Sequence, residues 1–293
     1  MKKYLEQKSH VRLPVVAGYF YPSEPEKLRE LIEHSFKHPL GPGELPQVSS
    51  TRRKDALGYV APHAGYIYSG PIAAHVYYNL ALDGKPETII IIGTNHTGLG
   101  SLVSVYPAGK WITPLGELEV DAELARDIVS NSDLAELDTY AHVEEHSVEV
   151  QLPFIQYLFG NNVKIVPIVL GLHTPDVARD LSKAIYESLQ TMGRDTIIIA
   201  SSDFNHYDPH DITVAKDKKA LDRILALDTD GLYKVILEEP VTICGPGGIM
   251  TLIELVKLYG KGEAKLLKYA TSGDVSGDKS AVVGYAAIRF LIK

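Results

Sequence analysis

One cysteine, one tryptophan and three methionines are all that the 293-residue sequence holds of those residue types. A lone cysteine, Cys244, forms no disulfide within the chain, so the fold is expected to rest on its core and Cys244 to serve another end. Met, Cys, Asn and Gln are all scarce, the usage common in thermophiles. No apolar run approaches the roughly 20 residues that cross a bilayer, and the opening MKKYLEQKSHVRLP lacks the apolar stretch of a secretory leader. A cytoplasmic protein with no membrane partner is the expectation. Positive charge is not in excess either: the formal net charge is -8 and the pI near 5.8, so nucleic acid is not an expected partner. Walker loop, GxGxxG fingerprint, GxSxG elbow and paired CxxC are absent, which argues against nucleotide cofactors, a standard serine hydrolase and structural zinc.

What the sequence does have is the material for a large core, 45% hydrophobic against 23% charged residues, and residues 1–293 read as one α/β domain. Four apolar runs, at 56–61, 88–93, 163–171 and 196–202, have the continuous character of strands buried on both faces of a parallel or mixed sheet. Helical patterns alternate with them around 71–81, 121–131, 147–159 and 175–191, and three more follow near 212–226, 229–238 and 247–259. Ser23 with Glu26 forms a candidate capping box for an earlier helix whose apolar stripe is Leu28, Leu31, Ile32 and Phe36. LVSVYPAG and ITPLGELEV read as a ribbon beside the main sheet, and LLKYATSGD with SAVVGYAAIRFLI as a closing strand pair. The expected fold is a central, mostly parallel or mixed sheet flanked by helices.

Ligands of open α/β sheets bind beyond the carboxyl ends of the strands. His63, His96 and His206 each lie just past an apolar run, and three such histidines are harder to dismiss as loop residues than one. Cys244 precedes a Gly-Pro-Gly-Gly turn and a helical pattern, where oriented N–H groups favour thiolate, the metal-ligating form; the bland alternative is a buried cysteine acting as a small hydrophobe. Asp203 and His206 sit close enough for the carboxylate to orient the imidazole for proton transfer, although Asp203 also suits a cap. Glu145 and His146 are candidates to turn inward and orient a metal-binding histidine, against the alternative of a solvated acidic helix start. His10, His34, His38, His75, His173 and His210 carry no such signal.

The strings APHAGYIYSGPIAA, IIGTNHTG, EEHSVEVQLPF, SSDFNHY and CGPGGI, in this order and with PVVAGYFYP ahead of them, resemble the Memo family, whose eukaryotic member mediates receptor-driven cell motility. The resemblance spans nearly the whole chain. It implies a fold similar to the class III extradiol dioxygenases, with metal ligands at His63, His96 and Cys244, and with Asp203 and His206 lining the same pocket. Those dioxygenases use two histidines and a carboxylate, whereas this chain has cysteine in the third place. A thiolate makes the site softer, suiting iron or copper with altered redox behaviour, or zinc. Three functions follow as expectations: a metal-dependent oxidoreductase using His206 and Asp203, a phosphotyrosine-type peptide-binding module using the pocket without catalysis, and a zinc-type hydrolase with an open coordination position. The resemblance also implies a small-molecule or peptide ligand in the pocket and a link to a radical-SAM pathway.

Overall fold

The computed structural model describes residues 10–293, so the sequence 1–9, part of the stretch read for a leader, lies outside the described residues. In chain order the first half runs β1 (Val11–Arg12), α1 (Pro25–Lys37), β2 (Ala56–Ala61), α2 (Tyr66–Asp83), β3 (Thr88–Thr94), β4 (Val103–Val105), β5 (Lys110–Thr113), β6 (Gly116–Glu119), α3 (Ala122–Ser130), β7 (Ala135–Leu137) and α4 (Leu152–Phe159). The second half runs β8 (Lys164–Leu170), α5 (Pro175–Met192), β9 (Thr196–Ser201), β10 (His206–Asp208), α6 (His210–Leu225), α7 (Thr229–Glu238), α8 (Pro246–Leu258), β11 (Gly262–Thr271), α9 (Ser272–Ser276) and β12 (Val282–Ile292).

The four apolar runs form the centre of one mixed sheet, ordered β10-β12-β2-β9-β3-β8-β4-β7, with β11 also paired to β12. Strands β2, β9, β3 and β8 are parallel neighbours; β12 joins β2, and β4 joins β8, antiparallel. Because side chains alternate along a strand, each run serves two cores. Ile89, Ile91, Ile197 and Ile199 pack with Leu28, Ile72 and Phe154 of α1, α2 and α4. Ile90, Ile92, Ile198 and Ala200 pack on the other face with Leu124, Leu181 and Leu252 of α3, α5 and α8. A run buried on both faces cannot carry polar alternation, which is why these strands read as unbroken aliphatic stretches.

Helix α8 comes very close to the sheet. A Cβ on Gly248 would stand 3.2 Å from Ala200 Cβ and from the carbonyl of Ile92, and one on Gly247 would stand 2.7 Å from His173 Nδ1. The two glycines therefore let the first turn of α8 lie against the ends of β3 and β9.

Four local expectations are corrected. The Ser23–Glu26 capping box does not form: Glu24 holds the N-cap without a side-chain hydrogen bond and Pro25 enters the first turn, where a missing N–H costs nothing. The helix read from 71 begins at Tyr66, with Pro71 inside it. The ribbon is the β5–β6 hairpin within KWITPLGELE, whereas the more apolar β4 joins the main sheet. The pattern read as a helix over 147–159 becomes regular only at Leu152, after short 3-10 turns at Tyr140–His142 and Glu149–Gln151. Among the described residues no helix is long and apolar enough to cross a membrane.

Candidate metal centre

Parallel strands in register bring the segments that follow them to one edge. His63 follows β2, His96 follows β3, His173 follows β8, and Asp203 to His206 follow β9. The loop before α8 adds Cys244. His63, His96, Asp203, His206 and Cys244, together with Phe20, His146, Tyr207, Ile243 and Val283, line a cleft of about 570 Å³. The ligand atoms of His63, His96 and Cys244 all lie within 4.8 Å of one another.

Each imidazole is held by a partner behind it. His96 donates from Nδ1 to Glu145 Oε1 at 2.9 Å and from its backbone N–H to Glu145 Oε2 at 2.6 Å. A carboxylate accepts only, so the His96 proton sits on Nδ1 and the Nε2 lone pair is left for the cleft. His206 is fixed the same way by Thr242, whose carbonyl accepts from Nδ1 at 2.8 Å while its hydroxyl accepts the His206 N–H at 2.8 Å. His63 packs Nδ1 against Ser201 Oγ at 3.0 Å and turns Nε2 to Cys244 Sγ at 3.2 Å. His146 stacks on His96 with ring centroids 4.5 Å apart and meets Phe20 at 4.8 Å.

Glu145 is fully buried, which removes the alternative of a solvated helix start. Burial pushes its carboxyl up, but the His96 hydrogen bond and N–H groups from Ser147 and His146 outweigh that and hold it at about 2. It therefore stays ionised as the anchor of His96. His96, Glu145 and His146 also form a second cluster of metal-type groups, yet the carboxylate there is already spent on four N–H donors.

Two expectations about the pocket need correcting. Asp203 lines the cleft but does not orient His206: Oδ1 accepts the backbone N–H of His63 at 2.8 Å, and Thr242 takes the orienting role. Burial pushes the Asp203 carboxyl up to about 6. Nor do the surroundings of Cys244 favour its thiolate. Burial, then the nearby Asp203 charge, push the thiol well above its ordinary range, and the Asp203 N–H at 3.2 Å offsets only part of this. The S–H proton has an acceptor in His63 Nε2 at 3.2 Å.

His173 belongs to the same edge although the sequence reading left it aside. Its Nδ1 accepts the Gly247 N–H at 3.2 Å and its Nε2 meets Thr94 Oγ1 at 2.9 Å, so both ring nitrogens are used in joining α8 to the end of β3. Burial lowers its pKa to about 4. Its position just after the run 163–171 was the available signal. Phe20 and Tyr207 lie within the strings PVVAGYFYP and SSDFNHY, but no residue chemistry marks them there as cleft residues. Tyr207 holds φ +66° while 76% exposed at the rim, a left-handed conformation that a bulky residue adopts at a cost.

Fold and edge together define an α/β protein with a histidine–cysteine cleft at the carboxyl ends of its parallel strands. The chain belongs to the family described as Memo-like protein, whose model matches residues 12–289. It is similar to proteins named MEMO1 family protein from thermophilic archaea. That of Desulfurococcus amylolyticus is 65% identical over 96% of this chain and 99% of its own length. Those of Ignicoccus hospitalis and Sulfolobus acidocaldarius are 57% and 52% identical, each over 96% of this chain and 98% and 99% of their own. Among solved structures, an uncharacterized protein from Escherichia coli K12 is a distant likeness, with TM-score 0.48 and 12% identity over 81% of this chain and 100% of that one.

Proposed function

We propose that the cleft is the centre of a metal-dependent oxidoreductase acting on a small organic molecule. The observation that carries this reading is the donor set: imidazole nitrogens of His63 and His96 and the sulfur of Cys244 within 4.8 Å of one another, with Nδ1 of each ring engaged from behind. Such an arrangement fits iron or copper, and zinc less selectively. Iron or copper held there would supply the redox step, and zinc only Lewis acidity.

The protein's own groups divide the remaining work. His206, its Nδ1 tied to the Thr242 carbonyl, presents Nε2 as a proton acceptor. Glu145 keeps the His96 ring from rotating. Phe20, Ile243 and Val283 give the cleft apolar walls, which suit a ligand with a hydrophobic body and a polar end at the donors. No Lys or Arg lines the cleft among the described residues, so a phosphate-bearing peptide would lack the cationic partner such anions usually find, which favours the small-molecule reading over the binding module.

The test is reconstitution with Fe(II) or Cu(I) under anaerobic conditions, followed by oxygen-consumption measurements with phenol and thiol panels. Uptake that depends on the added metal and is lost in His206→Gln is expected. If no metal-loaded form consumes oxygen or cycles between redox states with any of them, the oxidoreductase reading fails; chelator-sensitive ester turnover would move the centre to a zinc-type hydrolase.

A further inference from the structure

Hydrogen-bond accounting around His63 leaves one proton arrangement. Ser201 Oγ lies 2.6 Å from the Ser147 carbonyl, 2.7 Å from Gln151 Nε2 and 3.0 Å from His63 Nδ1. A carbonyl can only accept, so the single hydroxyl proton of Ser201 points to Ser147. The orientation of Gln151 is fixed in turn. Its amide nitrogen faces the Pro62 carbonyl at 3.0 Å, where an oxygen would be repelled, and its amide oxygen accepts from the Tyr77 hydroxyl at 2.5 Å. Gln151 therefore donates to Ser201. With its own proton spent, Ser201 has only a lone pair left for His63.

We propose that Ser201, held by Gln151 and Ser147, is a positioning residue that locks His63 as the Nδ1–H tautomer, so that a bare Nε2 faces Cys244 and the cleft. The reverse tautomer would set two lone pairs against each other at 3.0 Å among groups with no water to relieve them, since His63 is 2% exposed, Gln151 1% and Ser201 0%. A proton on Nε2 would also stand where a metal must bind. Ser147 extends the lock to the second histidine. Its hydroxyl donates to the Thr94 carbonyl and accepts the Thr94 N–H, and its own N–H goes to Glu145 Oε1, the oxygen that holds His96. One connected network thus sets both rings, and Ser201 is the link that reaches His63. The purpose given to the lock rests on the metal-site reading; its existence does not.

Long-range 1H–15N correlation spectra of 15N-histidine-labelled, metal-free protein report which ring nitrogen carries the proton, with the His63 signals assigned by their loss in His63→Gln. Wild type is expected to show protonated Nδ1 and bare Nε2. Ser201→Ala is expected to populate the Nε2–H form, and Ser201→Thr, which keeps the hydroxyl, to return to Nδ1–H. Cobalt(II) titration, followed by the thiolate-to-cobalt absorption band, is expected to weaken by about 10–100-fold in Ser201→Ala and to recover in Ser201→Thr. Wild-type His63 protonated at Nε2 would overturn the proposal without any variant, and so would an unchanged tautomer in a folded Ser201→Ala. A lock seen in the spectra of a wild type that binds no cobalt would uphold Ser201's role and defeat the metal reading instead.

Discussion

Four N–H groups converge on Glu145, two from His96 and one each from His146 and Ser147. Glu145→Gln keeps the size of the side chain but puts an amide N–H group where a donor must be accepted. The His96 ring then loses its fixed orientation, and metal affinity is expected to fall about 10–100-fold in a competition titration, with the protein still folded. An unchanged affinity would make Glu145 a structural acid only. At the rim, Tyr207 spends backbone strain on a side chain that is 76% exposed. Tyr207→Gly removes the strain and little buried surface, so its thermal midpoint should not fall below wild type, while ligand binding weakens. A lower midpoint would show that the ring is held by contacts rather than kept for the cleft.

At the scale of elements, the segment that brings Phe20 to the cleft is anchored by one buried ion pair. Arg12 donates to Glu149 Oε2 at 2.5 Å, to the Glu145 carbonyl at 2.5 Å and to the His142 carbonyl at 2.9 Å, with its guanidinium 4.8 Å over the Trp111 ring. Glu149 also accepts from the Tyr21 hydroxyl at 2.6 Å and from the N–H groups of Val15 and Val16. Arg12→Ala leaves Glu149 buried and uncompensated, and should cost about 3–5 kcal/mol in chemical denaturation. A loss under about 1 kcal/mol would mean the segment is held by its apolar contacts.

None of this tether was legible in the sequence, because Arg12 and Glu149 lie 137 positions apart and neither stands in an apolar pattern. The strands were legible for the opposite reason: residues buried on both faces leave a local signature that needs no knowledge of their partners. Histidines after such strands could be picked out, and the family motifs singled out His63, His96 and Cys244. What the motifs could not say is which group stands behind each ring. Thr242 rather than Asp203 orients His206, and Ser201 meets His63 from 138 positions away. The sequence does not place β4, because a three-residue Val-Ser-Val strand fits a side ribbon and a place in the main sheet between β8 and β7 equally well.

Acid stability belongs to the whole molecule. His63, His142, His146 and His173 are all kept neutral by burial, His142 with a pKa of about 3, His146 and His173 at about 4 and His63 well below the ordinary value. Each takes up a proton on unfolding as soon as the pH falls below the ordinary imidazole value near 6.5, so each contributes stability that is complete above that pH and is lost on acidification. Asp203 and Asp217 act in the opposite sense, since burial raises both to about 6 and the folded state then binds their protons first. His38 and His75 are lowered in the same direction as the four histidines and Asp83 is raised like the two aspartates, so the lowered imidazoles outnumber the raised carboxyls and stability falls on acidification between about pH 6.5 and pH 4. Denaturant midpoints measured across that window should fall with pH, and more gently in His142→Gln. A midpoint that rises on acidification would contradict the sign.

The account turns most on whether the cleft holds a metal through the three donors. The direct measurement is metal content by mass spectrometry after anaerobic loading with Fe(II) and removal of free ion, in wild type and in folded His63→Ala, His96→Ala and Cys244→Ser variants. One ion per chain in wild type, lost in all three variants, is the predicted result. No retained metal in wild type, or retention undiminished by the three substitutions, would contradict it.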